Sequence, residues 1–211
     1  MHDRGWFADV LLGMRPRDAL ARAVALADEG MSPRAIYLDV LAPALVEVGA
    51  RWQRGAASVA QEHLATAVVA SIMATLAPRL EGGAPMPRTV IVGSTDGELH
   101  SVGARMIGDF LEADGWDVRY LGAATPGVEI DRMAREVLPD AVCLSTTLTT
   151  HLPNVATVIA ALRASPNPPF TLVGGRAYGG DPAVARHVGA DAFAADASEA
   201  AVVLRQAFSL D

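Results

Sequence analysis

The stretch GELHSVGARMIGDFLEADGWDVRYLG, residues 97–122, decides the fold. It follows an apolar run, Thr89–Val92, and it contains a glycine-bearing turn, a helical pattern at Val102–Ala113 and a second apolar run, Val118–Leu121. A strand, a crossover helix and another strand form a βαβ unit, in which the two strands are parallel. The turn also carries His100, where a glycine or a capping residue is usual. The stretch therefore predicts a parallel sheet and a candidate functional residue at its edge.

The same alternation of strand and helix continues to the end of the chain. The remaining predicted strands are Ala141–Leu144, Phe170–Val173 and Ala192–Ala194, and the remaining predicted helices are Val128–Val137, Leu152–Ala164, Pro182–Val188 and Ser198–Phe208. Five such strands predict a flavodoxin- or Rossmann-like, doubly wound parallel sheet over residues 89–211. In sheets of this kind, ligands bind beyond the carboxyl ends of the strands.

Residues 1–80 have a helical pattern throughout and predict a four-helix bundle. A weaker helix near Trp6–Leu12 comes first, and Ser58 with Gln61 forms a capping-box pattern at the start of the last helix. The segment EGGAPMPR, residues 81–88, is rich in glycine and proline and predicts a linker. The fold class is therefore α/β, with a helical bundle ahead of the sheet.

Composition narrows the classes of function. The formal net charge is −7, which argues against direct binding of DNA or another nucleic acid. Lysine is absent, so Walker-type phosphate binding and Schiff-base chemistry are excluded. The single cysteine, Cys143, cannot form an internal disulfide, and neither a signal peptide nor an apolar run of about 20 residues is evident. A cytoplasmic protein that does not enter a membrane is the expectation.

Three loops that follow predicted strands carry the candidate site. They contain His100, Ser145 and the doublet Gly174–Gly175. By itself His100 could be a packing residue, an acid or base, or a metal ligand oriented by Glu98 or Asp96. Zinc is disfavoured because no further ligand lies at a familiar spacing. The glycine doublet could form a tight turn or admit a ligand close to the backbone, so the residues alone leave the choice open.

The order Glu98-x-His100-x-x-Gly103, then Ser145, then Gly174-Gly175, resembles the signature of cobalamin-binding domains. That signature is usually Asp-x-His-x-x-Gly, then Ser-x-Leu, then Gly-Gly. The resemblance implies that His100 replaces the dimethylbenzimidazole of cobalamin as the lower axial ligand of cobalt. Glu98 stands in place of the usual Asp, and Thr147 in place of the usual Leu.

The resemblance also implies roles around the nucleotide tail of the cofactor. Glu98 or Asp96 would support the imidazole, and Ser145 and Thr149 would meet the tail. The residues that would leave room for the tail are glycines: Gly103, Gly174 and Gly175.

The helical half carries Trp52 followed by the pair Glu62-His63, a spacing similar to that of cobalamin-dependent light-sensing regulators. In such proteins these residues cover the upper face of the corrin. Alternatively, Trp52 closes the bundle and Glu62-His63 is a solvated surface. The resemblance implies a stand-alone, non-enzymatic photoreceptor that binds adenosylcobalamin. Photolysis of the cobalt–carbon bond would change its conformation or its homo-oligomeric assembly, and a regulatory partner such as a transcription factor would respond.

Three alternatives remain open from the sequence. The first is a corrinoid protein of a methyltransferase system, which carries a methyl group on cobalt. The second is a regulator that senses cobalamin without light. The third adds biliverdin as a second chromophore, held non-covalently because Cys143 lies within a strand. The residues that could line a tetrapyrrole site, or could simply pack, are Trp116, Tyr120, His151 and Tyr178.

Overall fold

The computed structural model describes the backbone of residues 2–210 and the side chains of residues 5–210. The chain divides into two compact units, Met1–Glu81 and Gly82–Asp211. The first unit is helical, and the second is a five-stranded sheet flanked by helices.

The first unit consists of helices that pack around an aliphatic and aromatic core. Their bounds are α1 His2–Leu12, α2 Pro16–Asp28, α3 Pro33–Ala35, a π-helical segment Ile36–Leu41, α4 Ala42–Gln53 and α5 Val59–Leu76. Helix α1 contacts α2, α4 and α5, and α2 also contacts α5. Phe7, Leu11, Tyr37 and Ile72 are fully or almost fully buried. Because α3, the π-helical segment and α4 follow one another without a break, the unit has the four-helix architecture that the sequence predicts.

The π-helical segment is a feature that the sequence pattern did not reveal. The amide of Ala42 donates to the carbonyl of Tyr37, five residues earlier. Pro43 follows immediately; it has no N–H, and in a regular helix its ring would clash with the carbonyl of Asp39. A wider turn relieves this conflict without ending the helix. The hydroxyl of Tyr37 donates to the carbonyl of Met73 at 2.7 Å, which ties the segment to α5.

Helix α5 begins with the predicted capping box. The hydroxyl of Ser58 accepts from the Gln61 amide, and the Gln61 side chain accepts from the Ser58 amide. Gln61 also donates to the carbonyl of Leu12 at 2.8 Å. Among the described residues, the helical stretch Val59–Arg79 alone has the length and apolar character that could cross a membrane. This is weak evidence for a span, because a core helix of a soluble protein has the same character.

The second unit contains an all-parallel sheet with the strand order β2-β1-β3-β4-β5. The strands are β1 Thr89–Gly93, β2 Asp117–Gly122, β3 Ala141–Ser145, β4 Phe170–Gly174 and β5 Ala192–Ala194. The chain passes outward from β1 to β2 and then returns to the other side of β1 as β3. The strand order therefore reverses between β1 and β3, which is the expected position of a ligand site in such a sheet.

Helices cover both faces of this sheet. Their bounds are α6 Val102–Ala113, α7 Gly127–Val137, α8 Leu152–Arg163, α9 Pro182–His187 and α10 Ala197–Ala207. Helix α6 packs against α10, and α7 packs against α8. Ile91, Val142 and Val173 of the sheet are buried in one cluster with Val155 and Ile159 of α8. The predicted fold class is confirmed, and the strand and helix limits agree with the prediction within about one residue at most ends.

The segment that precedes β1 belongs to the second unit and is hydrogen-bonded to the end of α6 and the turn that follows it. The amide of Gly83 donates to the carbonyl of Ala113, and the amide of Met86 donates to the carbonyl of Gly115. At Gly115 (φ +96°) a Cβ would lie 2.2 Å from the carbonyl oxygen of Ala84, so only glycine allows this approach. Residues 82–88 therefore lie against the turn between α6 and β2.

Cys143 lies in the centre of β3 and is fully buried. Burial disfavours the thiolate and raises the pKa of this thiol to about 12. The thiol is therefore protonated at neutral pH.

Candidate functional site

A buried carboxylate, Glu98, organises the loop between β1 and α6. Its Oε1 atom lies 2.6 Å from Nδ1 of His100 and accepts from the His100 amide at 3.0 Å. Its Oε2 atom accepts from the amides of Thr147 and Leu148, at 2.7 and 3.2 Å. Oε2 also lies 3.2 Å from Nδ1 of His151. One side chain thus links the loop after β1 to the loop after β3.

These contacts determine the charge of Glu98. Burial alone would raise its pKa, but hydrogen bonds from His100, Thr147 and His151 outweigh the burial and lower the pKa to about 2. The group is therefore a carboxylate at neutral pH. Since a carboxylate only accepts hydrogen bonds, Nδ1 of each neighbouring histidine must carry a proton.

His100 is placed to act as a ligand through its other ring nitrogen. Its side chain is 45% exposed, whereas Glu98 beneath it is completely buried. When Nδ1 of a neutral imidazole donates to a carboxylate, Nε2 holds the lone pair. This pairing is the usual support of a metal-bound histidine, because it fixes the ring and raises its basicity.

Asp96 does not share this role. Its carboxylate accepts from the amide of Gly127 at the start of α7, at 2.8 Å. Its carbonyl accepts from the side chain of Asn154 in α8. Of the two carboxylates that the sequence offered as supports for His100, the structure places Glu98 against the imidazole.

The structure brings together Ser145, Gly103 and Gly174 at the carboxyl ends of the central strands. Ser145 ends β3 beside Gly174 of β4. A Cβ on Gly103, in the first turn of α6, would lie 3.0 Å from the Ser145 hydroxyl. Thr149 is exposed and begins the short turn Thr149–His151.

The glycine doublet has a cause within the protein itself. A Cβ on Gly174 would lie 2.5 Å from the carbonyl oxygen of Ala194. Gly175 has a φ of +103°, and its Cβ would lie 2.4 Å from the carbonyl oxygen of Thr146. Close approach of backbone therefore explains both residues, whatever ligand the edge of the sheet binds.

Two polar residues that the sequence analysis missed lie at the same edge. Ser94 and Thr95 follow β1 and are fully buried. Among the described residues, neither hydroxyl makes a hydrogen bond. Buried hydroxyls without partners are uncommon, so these atoms are candidates for contact with a ligand. Their position directly after a predicted strand was the available signal.

The residues predicted to cover the upper face of the corrin all lie in the first unit. Trp52 is near the end of α4 and is 46% exposed. Glu62 is in the first turn of α5, where it accepts from the Thr66 hydroxyl, and His63 beside it is 71% exposed. Trp52 and His63 therefore present accessible side chains near the two ends of the loop between α4 and α5.

The four possible tetrapyrrole-wall residues have different environments. Trp116 packs edge-on against Phe208, and Tyr178 is buried beside Phe193. Tyr120 lies under the guanidinium of Arg105. Each of these three side chains has an ordinary packing partner, so packing alone accounts for its presence. His151 alone among the four contacts the Glu98 carboxylate.

The residues around His100 fit a metal ion whose other ligands are supplied by a cofactor. Within the described residues, no group of three or more His, Cys, Asp or Glu side chains could hold a metal ion. A corrin supplies ring nitrogens around its cobalt and leaves an axial position for one imidazole. The orphaned hydroxyls of Ser94 and Thr95 fit a polar portion of such a cofactor, so the residues present are compatible with a corrinoid.

Residues 88–205 match the B12 binding domain family, and residues 7–77 match a second family with the same description. The chain belongs to the B12 binding domain family. The first match covers the whole sheet unit from β1 to α10, and the second covers most of the helical unit. The cobalamin-binding character that the resemblance implied is therefore supported for both halves.

Individual relatives share this organisation. Dimethylamine corrinoid protein 1 of Methanosarcina acetivorans is 32% identical over 189 residues, which are 87% of each chain. The HTH-type transcriptional repressor CarA of Myxococcus xanthus is 30% identical over 69% of this chain but only 47% of the repressor.

Solved structures share the fold at low sequence identity. The monomethylamine corrinoid protein of Methanosarcina barkeri superposes with a TM-score of 0.84 at 19% identity and covers 95% of this chain and 96% of its own. A chain of the methanol:cobalamin methyltransferase complex MtaBC from Methanosarcina barkeri has a TM-score of 0.55 at 16% identity, over 97% of this chain and 79% of that one.

The prediction of a photoreceptor is wrong. It depended on three residues, Trp52, Glu62 and His63, whereas similarity to dimethylamine corrinoid proteins extends across both units. The alternative, a corrinoid protein of a methyltransferase system, is better supported. The comparisons support a corrinoid but give no support for adenosylcobalamin in particular, for biliverdin, or for a transcription factor as partner.

Proposed function

We propose that this protein is the corrinoid protein of a methyltransferase system. It binds a cobalamin-type corrinoid at the carboxyl edge of its sheet and carries a methyl group between partner enzymes. The single observation that carries the proposal is the contact of 2.6 Å between Nδ1 of His100 and the buried Glu98 carboxylate. That contact presents Nε2 as the ligand atom at the sheet edge of a B12 binding domain. The bound corrinoid would supply a cobalt ion that accepts and releases the methyl group.

His100 serves as the lower axial ligand in this proposal. Glu98 holds the imidazole in one orientation and in one tautomer, because a carboxylate on Nδ1 leaves the lone pair on Nε2. The negative charge also makes the imidazole a stronger donor to a cation. Through Glu98, the chain would thereby control how strongly the His100 imidazole binds cobalt.

Residues at the ends of β1, β3 and β4 serve the nucleotide tail. Ser145 and Thr149 contact the tail, and the buried hydroxyls of Ser94 and Thr95 offer further polar atoms. Gly103, Gly174 and Gly175 keep this edge clear of side chains. The backbone contacts of Gly174 with Ala194 and of Gly175 with Thr146 leave no space for a Cβ at either position.

The helical unit, residues 1–80, covers the upper face of the corrin in this proposal. Trp52 supplies an apolar surface, and Glu62 with His63 supplies polar atoms. The exposed side chains of Trp52 and His63 support this role.

The partners are methyltransferases, one that supplies the methyl group and one that removes it. Relatives of this chain are named as dimethylamine corrinoid proteins, and a chain with the same fold belongs to a methanol:cobalamin methyltransferase complex. A small methylated amine is accordingly the methyl donor that we propose for the system.

Cobalamin binding is tested with the purified protein and hydroxocobalamin. We expect the wild type to retain the corrinoid through gel filtration, with an absorption spectrum that differs from that of the unbound cofactor. His100→Ala should lose axial ligation and bind the corrinoid more weakly, by at least the loss of about 10–100-fold that is typical when a residue supporting a metal ligand is changed. His187→Ala is the matched control, since His187 lies in α9 away from Glu98. Equal spectra for wild type and His100→Ala would contradict the axial role.

The carrier function is tested by methyl transfer. Protein loaded with hydroxocobalamin is reduced to the cobalt(I) state with titanium(III) citrate and incubated with carbon-13-labelled dimethylamine and a dimethylamine methyltransferase. We expect a carbon-13 methyl signal on the protein-bound corrinoid only when amine and enzyme are both present. Absence of that signal with dimethylamine, monomethylamine and methanol would overturn the carrier proposal and leave cobalamin binding intact.

A further inference from the structure

The turn between α1 and α2 closes as a Schellman motif. The amide of Arg15 donates to the carbonyl of Val10 at 3.1 Å, and the amide of Met14 donates to the carbonyl of Leu11 at 3.1 Å. In this motif the residue at the position of Met14 has a left-handed backbone, and it is usually glycine because a Cβ is disfavoured there. Met14 has this backbone, with a φ of +53°. The chain therefore carries a long apolar side chain where glycine would be less strained.

Packing within the helical unit does not explain Met14. The residue is 61% exposed, so its side chain buries little apolar surface. A left-handed backbone is unfavourable for any residue with a Cβ, and an exposed thioether offsets none of that strain. A non-glycine residue held in this conformation without a compensating contact in the fold is a candidate for contact with a ligand.

Met14 lies at the end of the helical unit where α1 and α4 end and α5 begins. The side chain of Gln61, in the first turn of α5, donates to the carbonyl of Leu12 at the end of α1, at 2.8 Å. The guanidinium of Arg51, near the end of α4, lies 2.7 Å from the carboxylate of Asp9 in α1. These contacts bring the three helix ends together beside the turn that carries Met14.

The same end of the unit carries other exposed side chains. They are Trp52 near the end of α4, and Val59 and His63 in the first turns of α5. Single exposed apolar residues are ordinary, but here three separate elements each contribute one to the same end. Methionine adds a flexible, polarizable side chain that adapts to an irregular surface. Together these residues offer an apolar surface to a bound organic molecule.

We propose that Met14 is a further residue that contacts the upper face of the corrin, beside Trp52 and Val59. The proposal rests on the proposed function, because it assumes that the helical unit covers that face. The corrin is the occupant because the Met14 side chain extends the surface that Trp52 and His63 form. Contact with the corrin buries the thioether and thereby offsets the unfavourable backbone of Met14.

The backbone argument is tested on the apoprotein by urea unfolding. We expect Met14→Gly to unfold at the same urea concentration as the wild type or at a higher one, because glycine adopts a positive φ without strain and an exposed side chain leaves little burial to lose. Leu138→Gly is the matched control. Leu138 is also exposed, with a φ of +51°, and it follows α7 ahead of β3, at the opposite edge of the sheet from His100. A lower midpoint for Met14→Gly alone would show that Met14 packs within the unit and would overturn the proposal.

The contact is tested by the binding of methylcobalamin. We expect Met14→Gly to raise the Kd about tenfold, the effect of leaving part of a methionine side chain without its apolar contact. Met14→Leu should recover most of the affinity, because it keeps an apolar side chain of similar size. Leu138→Gly should match the wild type. The spectral change that His100 ligation causes should persist in all the variants, since the lower face is untouched.

Cyanide probes the upper position by itself. One equivalent is added to protein loaded with hydroxocobalamin, and the absorption spectrum follows replacement of the upper ligand. We expect the rate to rise in Met14→Gly and to remain at the wild-type value in Leu138→Gly. Equal rates in all three proteins would place Met14 away from the upper face and overturn the proposal.

The outcomes distinguish this inference from the proposed function. A wild type that fails to bind methylcobalamin would overturn the proposed function, and the role of Met14 would fail with it. A wild type that binds, together with a Met14→Gly variant of the same affinity, would overturn the role of Met14 alone. A Met14→Leu variant as weak as Met14→Gly would overturn the apolar contact, and so would a Leu138→Gly variant with the same loss.

Discussion

Gly175 shows how a single residue constrains the candidate site. It follows β4 with a φ of +103°, in contact with the carbonyl of Thr146 at the end of β3. Thr146 in turn precedes Thr147, whose amide binds Glu98. The turn after β4 and the loop that holds the carboxylate are therefore packed backbone to backbone.

We expect Gly175→Ala to destabilise the protein by about 2–4 kcal/mol, through backbone strain at positive φ and a clash with Thr146. The control is Gly179→Ala, also at positive φ (+60°) but with no atom within 4 Å of the added Cβ. Strain alone should cost the control about 1 kcal/mol. Urea unfolding of both variants measures the difference, and equal losses would show that the contact with Thr146 is not rigid.

At the level of single residues, the sequence predicted which residues lie at the site better than it predicted the contacts between them. His100 and Glu98 are near neighbours in the chain, so their pairing could be anticipated. His151 was considered only as a wall residue, because its partner Glu98 is 53 positions away and only the folded sheet brings the two loops together. The orphaned hydroxyls of Ser94 and Thr95 were missed because serine and threonine are common after strands.

At the level of secondary-structure elements, α5 depends on its capping box. The Ser58 hydroxyl accepts from the Gln61 amide, which also donates to the Ser58 carbonyl at 3.1 Å. The Gln61 side chain joins this start to the end of α1 through the carbonyl of Leu12. The first turn of α5 also contains Glu62 and His63, so the cap fixes the backbone that presents both of them.

We expect Ser58→Ala to lower the free energy of unfolding by about 1 kcal/mol, because the amide of Gln61 loses its side-chain acceptor. Ser71→Ala in the same helix is the control: Ser71 is exposed in the middle of α5, where alanine favours the helix. The Ser71 variant should be as stable as the wild type or slightly more stable. Circular dichroism during urea unfolding compares them, and equal destabilisation of both variants would contradict the capping argument.

The elements also show where pattern reading reaches its limit. Buried strands and amphipathic helices give strong periodic signals, and their limits were predicted closely. The π-helical segment Ile36–Leu41 was not, because Pro43 in a helical pattern suggests a break or a kink equally well. Only the backbone hydrogen bond from the Ala42 amide to the Tyr37 carbonyl shows that the helix continues through a wider turn.

At the level of the whole molecule, a ligand that binds only the folded state must stabilise it. The free energy gained is RT ln(1 + [L]/Kd), about 2.7 kcal/mol when the ligand is at 100 times its Kd. Our proposal places this ligand on loops that Glu98 already links. Binding should therefore raise the unfolding temperature of the unit that contains the sheet.

We expect hydroxocobalamin to raise the unfolding temperature of the wild-type protein by several degrees, in proportion to the logarithm of its concentration. The shift should be smaller for His100→Ala at the same concentration, because axial coordination is lost. Differential scanning calorimetry in the presence and absence of the cofactor makes the comparison. An equal shift for both proteins would mean that imidazole coordination contributes nothing to the affinity.

The incorrect prediction of a photoreceptor also arose at the level of the whole molecule. A short pattern of Trp52, Glu62 and His63 pointed to a light sensor, while similarity spread thinly over 87% of the chain pointed to dimethylamine corrinoid proteins. The first signal is easy to see in one sequence, because its residues are chemically distinctive. The second consists of many ordinary core positions, and a single sequence cannot reveal it.

The burial of Cys143 has a practical consequence for the proposed role as a methyl carrier. Burial raises the pKa of the Cys143 thiol to about 12, so the thiolate form is scarce at neutral pH. Thiolate is the form that attacks alkylating agents, and this one is enclosed in the middle of the sheet. If the protein carries a methyl group as proposed, we therefore expect methyl iodide to load the corrinoid without alkylating Cys143.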